Sequence, residues 1–160
     1  MSFRKEKFLS LAGADLNKLN LEELKKAARD LLDVNLHGIC FSPYDENQRP
    51  GDRLDPNGIK DKLNFLKPYF QWCRSFSCSE DNELIPPLAK EVGFKTLVGA
   101  WLSDDEKKNE IEIVKLVELC NEGHVDVAAV GNEVLYREEL SEEQLIQYIN
   151  EVKSKVNVPV

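Results

Sequence analysis

Chemistry concentrates in the segment Val130-Gly131-Asn132-Glu133-Val134-Leu135-Tyr136-Arg137. A glycine, an amide and a carboxylate there follow the apolar run Val125-Asp126-Val127-Ala128-Ala129-Val130, which reads as a buried strand. In an α/β barrel of parallel strands, the C-terminal strand ends are where active sites are assembled. A glutamate leaving such a strand is partly desolvated, which favours its protonated form and suits it to give a proton to a departing oxygen. Asn132 beside it can hydrogen-bond a hydroxyl group. By itself the pair is equally the content of a plain turn, Asn bending the chain and Glu opening the next surface, so its meaning comes from its position.

Other residues fall at equivalent places. Trp101 and Tyr136 each lie just beyond a strand, where an aromatic ring either offers a flat face to a ligand or plugs a barrel mouth. Arg74, near the end of another strand, either orients a carboxylate such as Glu133 through a charge-assisted hydrogen bond or serves a structural pair. Tyr44 opens the turn-rich stretch Tyr44-Asp45-Glu46-Asn47-Gln48-Arg49-Pro50-Gly51-Asp52, which forms either one wall of a cleft or a solvated loop. His37 and His124 read as structural. Glu138, Glu139, Glu142 and Glu143 read as a solvated helix entrance.

The elements that must position these groups repeat. Leu36-His37-Gly38-Ile39-Cys40-Phe41, Gln71-Trp72-Cys73-Arg74-Ser75-Phe76, Phe94-Lys95-Thr96-Leu97-Val98-Gly99-Ala100 and the 125–130 run recur about every 25 to 35 residues. Helical patterns separate them, the signature of βα units and a parallel sheet. Val156-Asn157-Val158-Pro159-Val160 reads as the start of a fifth strand. Ile85, Leu88, Ala89 and Val92 follow helical spacing, as do Ile113, Leu116, Val117 and Cys120, and Leu145, Tyr148, Ile149 and Val152; Ile59, Leu63 and Leu66 do so more weakly. Ser103 with Glu106, and Ser141 with Gln144, have capping-box spacing, and Gly93 and Gly123 stand where helices should end. Ahead of the first strand, Leu24, Ala27, Ala28 and Leu31 mark an amphipathic helix with Asn20 as its cap, placed either across the lower end of a barrel or on its outside.

These patterns predict an α/β fold: a partial (β/α)8 TIM barrel of about four βα units with parallel strands and the start of a fifth, preceded by an N-terminal helix. The expected division is an N-terminal helical segment, 1–35, and a half-barrel, 36–160. Closing a barrel takes eight strands and about 250 residues, so the chain is either an open α/β sheet or part of a larger barrel. Its exposed sheet edges predict a homodimer or a C-terminal half-barrel as partner.

Composition excludes several classes. A net charge of −8 disfavours nucleic acid and anionic membrane surfaces, and no apolar run approaches the roughly 20 residues of a membrane span. Residues 1–7 carry positive charge but lead into a polar segment, so no signal peptide is read and the expected location is cytoplasmic. Cys40, Cys73, Cys78 and Cys120 lack CxxC spacing and are expected to be reduced and buried, with no metal site.

The 130–137 octet resembles the acid/base segment of glycoside hydrolase family 17, which includes β-1,3-glucanases and glucan transglycosylases. His37-Gly38-Ile39-Cys40-Phe41-Ser42-Pro43-Tyr44 is similar to that family's first strand, Arg74-Ser75-Phe76-Ser77-Cys78 to its second, and Gly99-Ala100-Trp101-Leu102-Ser103 with Asn109 to its third strand and following helix. The similarity runs from about residue 36 to 160 and is nearer to the bacterial and fungal members than to the plant endoglucanases. It implies a retaining hydrolase or transglycosylase of β-1,3-glucan or a related β-glucan, working without cofactor or metal. Glu133 would be the general acid/base and Asn132 would contact the sugar next to the scissile bond; Trp101, Tyr44, Arg74 and Tyr136 complete the expected substrate contacts. Where many relatives carry tyrosines, this sequence has Phe41 and Phe76, which removes two hydroxyls.

Retention also needs a second carboxylate roughly 5–5.5 Å from the first. In the family it lies on the seventh strand, whereas this sequence reaches only the fifth. Asp45, Glu46, Asp104 and Asp105 fall on the right face, but Asp104 and Asp105 read more simply as first-turn carboxylates favoured by the helix dipole. The alternative expectation is a carbohydrate-binding or interaction module without turnover.

Overall fold

A computed structural model describes residues 18–160; residues 1–7, on which the leader reading rests, lie outside them. Its elements are α1 (Leu21–Leu32), β1 (Leu36–Cys40), α2 (Pro56–Leu66), β2 (Phe70–Ser75), a 3-10 turn (Asn82–Leu84), α3 (Ile85–Val92), β3 (Lys95–Ala100), α4 (Glu106–Asn121), β4 (Val127–Val130) and α5 (Glu142–Lys155). The chain divides between Leu36 and His37 into two compact units. In the first, Asn20 caps α1 through the amides of Glu22 and Glu23 while Glu23 bonds back to the Asn20 amide, and no residue of the helix is buried.

The strands form one sheet in the order β1-β2-β3-β4. They run parallel: Cys73 stands beside Thr96 and Ser75 beside Val98, then Val98 beside Ala128 and Ala100 beside Val130. Parallel crossovers are right-handed, so strands added successively on one side keep every crossover helix on the same face. A doubly wound sheet would reverse its direction of growth at a switch point. The sequential order is therefore that of consecutive barrel units. Alternation along the strands agrees, since Cys73, Ser75, Thr96, Val98, Ala100, Ala128 and Val130 are buried.

Packing follows the helical spacing. Ile59 and Leu63 of α2 join Cys73, Ile85, Ala89 and Phe94 in one cluster. Ile113, Leu116 and Cys120 of α4 join Val98, Ala100, Leu102, Ala128, Val134 and Val152 in another. Each fully buried aliphatic side chain contributes about 1.5–3 kcal/mol, so these clusters fix the sheet and, through it, the loops at the strand ends. At the opposite end Asp126 accepts from the Lys90 ammonium at 2.9 and 3.0 Å and from the Thr96 amide at 2.7 Å. Burial pushes that carboxyl up, but the Lys90 and Thr96 bonds outweigh it and hold it below the ordinary value.

Several expectations need correction. Helix α4 is capped by Asp105, whose carboxylate accepts from the amides of Lys107 and Lys108. Ser103 instead accepts from the Asp105 amide at 3.2 Å, one step too early to pair with Glu106. Ser141 and Gln144 do form a capping box, and Gly93 ends α3 at a φ of +95°. Residues 156–160 are not a strand, because only one sheet-like bond, Ala128 amide to Pro159 carbonyl at 2.8 Å, joins them to β4. All four cysteines are free, but Cys40 is exposed while the other three are buried.

Candidate active site

The chain leaves β4 through a tight turn. Gly131 extends the ladder by donating to the Ala100 carbonyl at 3.1 Å and then turns at a φ of +80°. Glu133 follows at a φ of +54°, a left-handed conformation uncommon for a residue with a side chain. Bonds from the Arg137 amide to the Glu133 carbonyl (2.9 Å) and from the Glu139 amide to the Val134 carbonyl (3.1 Å) close the turn, and Val134 pins it, only 2% exposed. With Val134 directed into the core, Glu133 is exposed. The desolvation expected of it is therefore absent among the described residues.

Asn132 is held from two sides. Its side-chain oxygen accepts from Arg74 Nη2 at 3.0 Å, and its carbonyl accepts from Arg137 Nη1. A guanidinium can only donate, so it must face the amide oxygen, which leaves the Asn132 NH2 as the donor for a ligand. Arg74 also lies over the Phe76 ring, 4.6 Å from its centroid. The sequence reading offered Glu133 as the group Arg74 orients; the observed partner is Asn132.

Arg137 joins two strand ends. It lies 4.6 Å from the Trp101 ring centroid, donates to the Leu102 carbonyl at 2.7 Å, and pairs with Glu139 through bonds of 2.9 and 2.7 Å. The Glu139 carboxylate holds the Arg137 guanidinium above its ordinary value, and Arg137 holds Glu139 below its own. Glu139 is thus a paired group, not part of a merely solvated entrance. Tyr136 is 88% exposed and plugs nothing.

A cleft of about 480 Å³ opens between the loops after β1, β2 and β3, lined by Phe41, Tyr44, Phe76, Trp101, Ser103 and Glu112 among others. That size suits a small ligand. Tyr44 is fixed there by a bond from Asn82 Nδ2 to its hydroxyl at 3.0 Å, and Lys62 ties down the same loop through the Pro43 carbonyl at 2.5 Å and Asp45 at 2.8 Å. Phe41 and Phe76 make part of the wall apolar. Asn132, Glu133, Arg74 and Tyr136 do not line this cleft. A second hollow of about 500 Å³, more open, runs along Ile39, Cys40, Phe65 and Leu66 and shares Phe41 and Ser42 with the cleft.

Glu112 escaped the sequence reading. It is 3% exposed on α4, and its carboxylate accepts from Ser77 Oγ (2.6 Å), the Cys78 amide (2.7 Å), Ser79 Oγ (2.5 Å) and the Trp101 amide (3.0 Å). One signal was available: Asn109 and Glu112 precede Ile113 and Leu116 on the same helical face, polar residues where periodicity demands burial. Asn109, fully buried, accepts from the Ser103 amide at 2.8 Å and donates to the Ser103 carbonyl at 2.7 Å.

Comparison with known proteins agrees with this architecture. The chain is 30% identical over 111 residues to a glucan 1,3-beta-glucosidase of Candida albicans, covering 66% of this chain and 36% of that protein. It is 32% identical over 99 residues to a glucan 1,3-beta-glucosidase of Saccharomyces cerevisiae, covering 59% of this chain and 32% of the relative. A glycoside hydrolase family 17 beta-1,3-glucanosyltransferase from Rhizomucor miehei superposes with a TM-score of 0.63 at 28% identity, over 76% of this chain and 46% of that one. An active-site mutant of the Rhizomucor enzyme, in complex with laminaritriose, matches equally well. The chain thus spans about a third of these curated relatives and about half of the solved structures. Residues 38–159 match the model of the BtgE/BtgC glycoside hydrolase domain, and with parallel βα units in barrel order, the chain belongs to that family, a domain of the glycoside hydrolase family 17 type.

Proposed function

We propose that this chain carries the acid/base side of a retaining site for β-1,3-glucan, serving a hydrolase or a glucanosyltransferase. The observation that carries the reading is the placing of Asn132 and Glu133 at the C-terminal end of β4, with the Asn132 amide oriented by Arg74. In this reading the Asn132 NH2 donates to a sugar hydroxyl, and Glu133 protonates the departing glycosidic oxygen while a carboxylate attacks the anomeric carbon. Glu133 then takes a proton from water or from a sugar hydroxyl, and the covalent intermediate is released with retention. Asp45 is paired with Lys62, Asp105 caps α4 and Glu112 is enclosed by four donors. These three carboxylates are thus engaged elsewhere, and the attacking carboxylate of this reading is not one of them.

One observation favours a second reading. Glu133 is exposed, and the cleft is lined without it, as in a module that binds glucan without cleaving it. The test is incubation of the purified chain with laminaripentaose, with and without formate as an external nucleophile, for the wild type and Glu133→Gln. Turnover that disappears in Glu133→Gln supports the acid/base role. Saturable binding with no turnover in either condition supports the binding module, and absence of both removes the glucan reading altogether.

A further inference from the structure

We infer that Glu112 is a positioning residue that presets the cleft, fixing the Trp101 backbone against the loop after β2. This rests on the reading that the cleft takes a β-glucan chain. The carboxylate receives donors from two separate loops, Ser77 Oγ, the Cys78 amide and Ser79 Oγ after β2, and the Trp101 amide after β3. No ion pair to Glu112 is seen among the described residues. Removing a carboxylate from water without a cation is costly, and hydrogen bonds to the ionised group are what offset it. An apolar side chain at this point of α4 would avoid that cost but leave the four donors without their acceptor. What it would lose is the connection between the two walls.

Trp101 sits where that connection matters. The residue is 40% exposed and lines the cleft, Arg137 lies over the ring, and Glu112 holds its amide. A stacking surface fixed before the ligand arrives spares the ordering cost that binding would otherwise carry. Glu112 thus acts on the ligand through Trp101 and the Ser77–Ser79 wall.

Substitution by Leu keeps much of the volume but removes both acceptor oxygens, so all four bonds are lost. Substitution by Asp keeps the charge but falls one methylene short of spanning both loops, and it provides the test should Glu112→Leu fail to fold. The measurement is the Trp101 indole N–H resonance in Trp72→Phe protein, together with laminaritriose titration by calorimetry. In the parent a single sharp resonance is expected; in either Glu112 variant it should broaden or split, with laminaritriose bound about tenfold more weakly and folded secondary structure retained.

An unchanged resonance in a folded Glu112 variant overturns the positioning role, whatever the binding result. A broadened resonance with laminaritriose affinity unchanged overturns the claim that the preset geometry serves the ligand. Should the parent protein show no laminaritriose binding while the variants broaden, Glu112 still positions Trp101 and it is the glucan reading that fails.

Discussion

Replacing Gly131 by alanine is expected to loosen the turn that carries Asn132 and Glu133, by an amount that can be divided into two parts. Gly131 has a φ of +80°, and a Cβ there would stand 3.0 Å from Leu145 Cδ1 and 3.2 Å from Val134 Cγ1. The left-handed backbone costs an alanine about 1–2 kcal/mol. Leu145 is only partly buried and can rotate away, but Val134 is β-branched and 2% exposed, so its methyl cannot yield cheaply; mild overpacking of this kind adds about 1 kcal/mol. The total is about 2–3 kcal/mol. Gly123 is the internal control, with a φ of +84° and nothing within 4 Å of its would-be Cβ. Gly123→Ala should lose only the backbone part, about 1–2 kcal/mol. Urea denaturation of both variants measures the difference. Equal losses would refute the packing argument, and a Gly131→Ala protein as stable as the wild type would refute the turn geometry itself.

Further predictions follow from other sites. Glu133→Asn should raise stability by about 0.5–1 kcal/mol in the same denaturation assay, since asparagine tolerates the left-handed φ of +54° seen at Glu133, while any Glu133-dependent turnover is lost. Asp126→Asn should cost about 2 kcal/mol at neutral pH by removing charge-assisted bonds from Lys90 and Thr96. Because the folded Asp126 value is lowered, that contribution is full above the unfolded value of about 3.9. It fades as pH falls through the folded value, so denaturation curves of wild type and variant should converge in acid. Burial pushes the Cys73 thiol up to about 12 and Cys120 to about 11, and Cys78 is raised too. Ellman's reagent at pH 8 should therefore titrate exposed Cys40 alone until the chain is unfolded; a second fast thiol would contradict the burial of the other three.

Much of the fold was legible because its signals are local and redundant. The apolar runs, the spacing of Ile113, Leu116 and Cys120, and the Ser141–Gln144 box each report on a few adjacent residues, and all point to βα units. The Ser103–Glu106 box misled because Asp105, closer to the first helical turn, competes for the same amides. Residues 156–160 carry strand composition, yet pairing is a property of neighbours and only one sheet-like bond to β4 forms. Cys40 looks apolar in sequence but sits on the outermost strand of the sheet.

The site was legible in its residues and not in its partners. Asn132 and Glu133 could be placed at a strand end from the sequence, but the bond from Arg74 spans 58 positions, and no spacing rule encodes it. The exposure of Glu133 follows from the left-handed turn and from Val134 pointing inward, which an apolar-polar pattern does not specify. Apolar spacing does not reveal Glu112; its only local sign is a polar residue in the buried register of α4.

The most direct test is laminaritriose titration of the isotope-labelled chain, following the Asn132 side-chain NH2 and the Glu133 backbone amide. The account predicts saturable shifts at both, together with the Trp101 indole, and their loss in Arg74→Met protein, where the Asn132 amide is free to turn. Shifts confined to the hollow along Ile39 and Phe65, or none at all, would contradict the placement of a glucan site at the end of β4.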